Sequence, residues 1–136
     1  MNSILIKNIL IDSLESDIFI EGSLISKIGK DLNVHADEIF DGNGMAAVPG
    51  FVNMHTHAAM TIMRGIGEDM YLHDWLYNKI WPTEKKLSEE MIYWGTKLAA
   101  LEMIKSGTTC YNDQYWYIPF AVKAAEEMGI RSIQSY

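Results

Sequence analysis

The stretch Ala47-Val48-Pro49-Gly50-Phe51-Val52-Asn53-Met54-His55-Thr56-His57 decides the reading of this chain. Pro49-Gly50 marks a turn, Phe51 to Met54 reads as a buried strand, and that strand ends in two histidines separated by one residue. Side chains alternate faces along a strand, so His55 and His57 fall on the same face, one pleat apart, and can reach one metal ion together. Imidazole pairs begin many zinc and iron sites, but a catalytic metal needs three or more protein ligands and one open position. Taken alone, His-x-His is more often a chance pair on a strand edge than a ligand pair. Its position adds weight, because reactive groups gather at the C-terminal ends of strands in parallel α/β architectures.

Downstream of Pro49 the periods alternate between strand and helix. Ser88-Glu89-Glu90 reads as a helix N-terminus with acidic residues in its first turn, and the helix runs to about Lys105-Ser106 before Gly107. Met91, Trp94, Gly95, Leu98 and Glu102 form one stripe along it, with Ile92, Ala99 and Met103 beside them, and the stripe predicts core packing. Thr108 to Asp113 is the next strand. Pro119 suits the first position of a helix over Phe120 to Met128, stopped by Gly129, and Ile130 to Tyr136 is a third, apolar strand. This alternation implies parallel strands with crossover helices. Asp113, at the end of the second strand, is placed either to line a pocket or simply to begin a turn.

Upstream, residues 3 to 48 read as short strands. Ile4, Ile6, Ile9 and Ile11 alternate with other residues. Ile18 to Glu21 and Leu24 to Ile28 flank a Gly22-Ser23 turn, and Glu38 to Phe40 precedes the turn Asp41-Gly42-Asn43-Gly44. His35, between Asn33 and Asp37 in a polar loop, reads as a solvated surface histidine.

Composition narrows the function classes. Apolar residues make up 49% and charged residues 21%, a globular balance rather than a disordered one. Lys plus Arg number 11 against 18 Asp plus Glu, a net charge of −7, which argues against a nucleic-acid or anionic-membrane partner. The single cysteine, Cys110, excludes an intrachain disulfide and fits a reducing compartment, and its place in an apolar strand predicts a buried, inert thiol. No signal peptide and no apolar run long enough for a bilayer are apparent, so the expected location is cytoplasmic.

The connection from His57 to Leu87 is long, and long connections usually carry function. Arg64-Gly65-Ile66-Gly67-Glu68-Asp69 is polar and glycine-rich, and Leu72 to Ile80 forms a short helix carrying Trp75 and leading to Trp81, the makings of a lid. His73 reads as an exposed lid residue. From composition alone, Glu84 beside Lys85 and Lys86 is a solvated charge.

The run PGFVNMHTHAAMTIMRGIGEDMYLHDWLYNKIWPTEKKLSEEMIYWGTKLAALEMIKSGTTCYND, residues 49 to 113, resembles the N-terminal third of the amidohydrolase superfamily. Within it, the likeness is to the cytosine-deaminase-like branch that holds S-adenosylhomocysteine/5-methylthioadenosine deaminases and triazine hydrolases or chlorohydrolases. It extends from about Ile4 to the end of the chain. The resemblance implies an α/β fold: residues 49–136 supply about three strands of a (β/α)8 TIM barrel, and residues 1–48 supply half of a small β-sandwich. A barrel of that kind takes about 250 residues, and this chain has 136, too few to close one.

The chemistry implied is hydrolytic deamination of adenosine-type nucleosides by metal-activated water. One divalent metal, zinc with iron as the alternative, is bound by His55 and His57 together with a further His and an Asp from later strands. The proton-relay Glu and His also come from later strands, so no catalytic acid or base is assigned within these residues. In the resembling deaminases, the Trp matching Trp75 lines the nucleoside site, and the Glu matching Glu84 binds the ribose hydroxyls. The expected partner is a small molecule of purine-nucleoside type. The alternatives are a triazine- or guanine-type amidohydrolase or chlorohydrolase, or a non-catalytic folding or binding unit. Taken by itself the chain is expected to be inactive and to self-associate through unpaired sheet edges.

Overall fold

A computed structural model of the chain describes residues 2–135. The chain divides into two compact units, Met1–Pro49 and Gly50–Tyr136.

The first unit is a four-stranded sheet of β1 (Ser3–Ile11), β2 (Leu14–Glu21), β3 (Leu24–Gly29) and β4 (Glu38–Asp41) in the order β3-β2-β1-β4. Asp12 and Ser13 both take positive φ, 48° and 68°, so the β1–β2 hairpin closes on a two-residue turn whose twist matches that of the strands. β4 returns to pair in parallel with β1. An irregularity in β1 between Ile6 and Ile9 puts Asn8 at φ 58°. The buried Asp17 stabilises this bulge: its Oδ1 accepts from the Asn8 amide at 3.0 Å, and its Oδ2 accepts from the Leu32 amide at 2.8 Å. Leu5, Ile9, Ile18 and Phe19 are buried, while the apolar residues of β3 and β4, among them Leu24, Ile25, Ile39 and Phe40, stay exposed. His35 is exposed, in line with its polar loop.

The second unit is a three-stranded parallel sheet, β5 (Phe51–Thr56), β6 (Thr108–Gln114) and β7 (Arg131–Ser135), with β6 in the centre. A 3-10 turn, Ala58–Met63, follows β5 directly. After it come α1 (Leu72–Trp75), a π-helical segment Leu76–Ile80, and α2 (Trp81–Glu84), which together carry the predicted lid helix one turn beyond Ile80. The long helix α3 (Glu89–Lys105) starts at Ser88, whose side chain accepts from the Met91 amide at 3.3 Å. Helix α4 (Ile118–Met128) has Pro119 in its first turn and ends at Gly129, whose φ of 71° provides the left-handed cap. The predicted third strand runs to Tyr136, which lies outside the described residues. No helix among the described residues is long and apolar enough to cross a membrane.

Burial departs from the sequence expectation in four places. α3 buries Ile92, Gly95, Thr96, Ala99 and Ala100, whereas Met91, Trp94 and Leu98 of the expected core stripe are exposed. The helix packs by its small residues because the 3-10 turn lies very close: a Cβ on Gly95 would sit 2.6 Å from the Ala59 carbonyl oxygen. Thr61 completes the contact by donating its hydroxyl to the Gly95 carbonyl at 2.7 Å. β5 is not a buried strand, since Phe51, Val52 and Met54 are each more than half exposed. β7 likewise leaves Ile133 exposed, and Cys110 is half-buried rather than buried. The common reason is coverage. Helices α3 and α4 bury Tyr111 of the central strand with Ala99, Ala100 and Ala125, and no described element covers the outer strands to the same extent.

Candidate functional site

His55 and His57 lie at the C-terminal end of β5, where the alternation of the strand sets both rings on one side with centroids 5.2 Å apart and planes 75° apart. His55 is exposed and His57 half-buried. The backbone leaves the strand at His57 and turns into the 3-10 segment, where the His57 carbonyl accepts from the Met60 amide at 2.9 Å. The His57 Nδ1 is 2.7 Å from the carbonyl oxygen of Gln114, the last residue of β6. A carbonyl only accepts, so Nδ1 carries a proton, and in the neutral ring Nε2 is then the nitrogen with the free lone pair. This tautomer and this kind of backbone partner are what an imidazole ligating through Nε2 requires.

The neighbouring residue on β6 holds the same corner. Asp113 is 1% exposed, and its Oδ1 accepts from the Ala58 amide at 3.0 Å. Its Oδ2 has no hydrogen-bond partner among the described residues. Burial pushes the Asp113 carboxyl above the usual range for aspartate, against the opposing effect of the Ala58 N–H. Beneath it, the Tyr111 phenol is pushed up to about 12, mainly by burial and then by the Asp113 carboxylate, and its oxygen accepts from Gln134 Nε2 at 3.2 Å.

His57, Trp75 and Glu84 meet in one cavity of about 390 Å³, completed by Met60, Leu76, Ile80, Trp81, Gln114, Tyr115 and Trp116. This volume and this aromatic lining, with few polar groups, are those of a small-molecule pocket. The Trp75 indole is fixed by donating Nε1–H to the Ile66 carbonyl at 3.0 Å, which ties α1 to the glycine-rich loop. Glu84 ends α2 and is half-buried, not a freely solvated charge, and its Oε1 accepts from the Tyr115 hydroxyl at 2.9 Å. Burial, then the Glu84 carboxylate, raises the Tyr115 phenol far above its ordinary value, so it stays a neutral donor. An adjoining groove shares Trp81, Glu84 and Trp116 and continues along Lys85, Leu87, Tyr117, Ile118 and Pro119.

Of the residues singled out from sequence, His55 lies beside His57 but outside the cavity lining, and His73 stacks on Tyr77 away from it. Asp113 serves the site through the Ala58 amide. Among the described residues no group of three or more His, Cys, Asp or Glu is disposed to hold a metal ion. The sequence reading missed Gln114, Tyr115 and Trp116. A signal for two of them was present: Tyr115-Trp116-Tyr117 is an aromatic run directly after a strand whose C-terminal end lies beside that of β5.

The amidohydrolase family model matches residues 46–136. A 5-methylthioadenosine/S-adenosylhomocysteine deaminase of Thermococcus sibiricus is 50% identical over 140 residues, covering 98% of this chain and 33% of the relative. A 5'-deoxyadenosine deaminase of Methanocaldococcus jannaschii is 47% identical over 135 residues, covering 98% of this chain and 32% of the relative. Among solved structures, an adenosine deaminase from Xanthomonas campestris with bound zinc superposes with a TM-score of 0.86 at 27% identity, covering 96% of this chain and 32% of that one. Atrazine chlorohydrolase from Arthrobacter aurescens complexed with zinc gives a TM-score of 0.83 at 30% identity, covering 96% and 35%. The chain thus spans about a third of the length of the relatives it matches.

Proposed function

The chain belongs to the amidohydrolase family, and on that premise we propose that it forms the front part of a metal-dependent hydrolase that deaminates adenosine-type nucleosides of the 5-methylthioadenosine/S-adenosylhomocysteine class. The observation that carries the reading is the pairing of His57, held as the Nδ1–H tautomer by Gln114, with Glu84 and Trp75 in a single cavity. The relatives at 47% and 50% identity carry nucleoside-deaminase names, which supports the substrate class.

The donor set fits a divalent metal. His55 and His57 would hold it through ring nitrogens, and zinc suits imidazole and is the metal in the two solved neighbours. When bound, such an ion supplies a nucleophile at neutral pH from water of lowered pKa. Two imidazoles fall short of the three protein ligands a catalytic ion needs. The further His and Asp, and the groups that move protons to the ring nitrogen and the departing ammonia, therefore belong to a longer polypeptide than these residues. Within the chain, Gln114 and Asp113 orient the His57 corner, Trp75 offers a fixed aromatic face to the base, and Glu84 accepts from ribose hydroxyls.

The test is made in the full-length protein. His57→Ala should lower metal content and abolish deamination of 5-methylthioadenosine. Glu84→Ala should cut kcat/KM for nucleosides about ten- to a hundredfold through KM, the cost of a lost hydrogen bond to a charged group. The same substitution should barely affect an aminotriazine, which has no sugar. Full metal occupancy in both His55→Ala and His57→Ala would overturn the metal assignment, and equal losses on the nucleoside and the triazine would overturn the ribose contact.

A further inference from the structure

Three consecutive residues leave the central strand, and each grips a different part of the site. Asp113 takes the Ala58 amide, Gln114 takes the His57 ring, and Tyr115 donates to Glu84. The third contact is the one that nothing so far explains. Glu84 sits at the end of α2, which reaches back only to Trp81, and a glutamate there has several rotamers open to it. Tyr115 is only 9% exposed and follows β6 directly, its amide donating to the Ser135 carbonyl of β7 at 3.3 Å. Its ring also lies 6.0 Å from that of His57. A buried residue directly after the central strand therefore reaches across 31 positions of sequence to hold a carboxylate on α2 by one oxygen.

We propose that Tyr115 is the positioning residue for Glu84, fixing its carboxylate so that Oε2 faces a ligand hydroxyl, and that this bond makes the site select nucleosides that carry ribose hydroxyls over those that lack them. The inference rests on the reading of Glu84 as the ribose contact. Its physical basis is preorganisation. With Oε1 occupied by a buried donor the carboxylate is held in one rotamer, and a ligand hydroxyl meets an acceptor that loses no further freedom on binding. Without the phenol hydroxyl, Glu84 beside Lys85 and Lys86 is free to turn toward solvent.

The experiment compares Tyr115→Phe, Glu84→Gln and the double variant in the full-length, metal-loaded enzyme. The substrates are adenosine and 2',3'-dideoxyadenosine, with metal content measured in parallel. Tyr115→Phe keeps the ring and its packing, so folding is preserved. The expected result is a rise of about tenfold in KM for adenosine with kcat and metal content unchanged, and no change for the dideoxy compound. In the Glu84→Gln background, Tyr115→Phe should add little, because the two side chains act as one unit. Equal losses on both substrates, a fall in metal content, or fully additive effects would overturn the inference. If Glu84→Gln is ribose-selective and Tyr115→Phe is silent, the inference alone falls. If the loss in Glu84→Gln does not depend on the ribose hydroxyls, the ribose reading falls, and the inference with it.

Discussion

Strand β5 is an edge of the parallel sheet and strand β6 its centre, and the two differ in burial far more than in their tendency to form strands. Phe51, Val52 and Met54 of β5 are 65%, 55% and 67% exposed, while Tyr111 and Asp113 of β6 are 0% and 1% exposed. The edge strand is the more apolar in sequence, and the centre strand buries a phenol and a carboxylate. What differs is coverage, because α3 and α4 both pack near Tyr111 through alanines. The division extends to the site. The exposed strand leads into the two imidazoles, and the central strand supplies the Gln114 carbonyl that orients one of them, His57.

Substitutions on the two strands test that division most directly. Tyr111→Ala should cost about 3–5 kcal/mol, as for other large aromatic truncations in a core, whereas Phe51→Ala should stay within about 0.5 kcal/mol. Urea titration of both variants provides the check, and comparable losses would mean that the faces of β5 are covered in solution. The same contrast exists within α3. Ile92, 0% exposed, should lose about 2–5 kcal/mol on truncation to alanine, against a far smaller loss for Trp94, 57% exposed. Reversed midpoints in the same titration would restore the large-residue stripe as the packing face.

A smaller effect is expected at the seam that brings α3 against the 3-10 turn. Gly95→Ala places a methyl 2.6 Å from the Ala59 carbonyl oxygen. It should destabilise by about 1–3 kcal/mol despite the higher helix propensity of alanine. A gain in thermal midpoint would show that the turn yields freely.

The smallest effect concerns the link between the two covering helices. Lys97 of α3 bonds Glu127 of α4 at 2.7 Å, and Tyr93 donates to the same carboxylate. Lys97, then Tyr93, lowers the Glu127 pKa below its ordinary 4.5. A carboxylate depressed in the folded state contributes stability above the unfolded value, and that stability is lost as pH falls through the folded value. The pair is exposed, so the contribution is slight. Glu127→Gln should therefore lower the thermal midpoint marginally at pH 7 and not at all at strongly acid pH. A difference that grows on acidification would reverse the sign.

Much of this architecture was legible in the chain as written. Ser88 and Gly107 bracketed α3, Pro119 and Gly129 bracketed α4, and the spacing of His55 and His57 placed both rings on one side of a strand. These are local properties, set by caps, turns and alternation within a few residues. The errors were of another kind. The stripe Met91, Trp94 and Leu98 has the right period for a core, but period states only that residues share a face and not that the face is covered. Tyr115 was legible as an aromatic after a strand, but not as a partner of Glu84.

The sequence by itself therefore determined the order and type of most elements, the family likeness, and the place of His55, His57 and Asp113 at the C-terminal end of the sheet. Only the tertiary structure decided which faces are buried, which tautomer His57 holds, and where Glu84 is aimed. The physical reason is distance along the chain. The His57–Gln114 and Tyr115–Glu84 contacts join residues 57 and 31 positions apart. Such bonds form only once parallel pairing has set the ends of β5 and β6 side by side and α2 has come to rest against Tyr115.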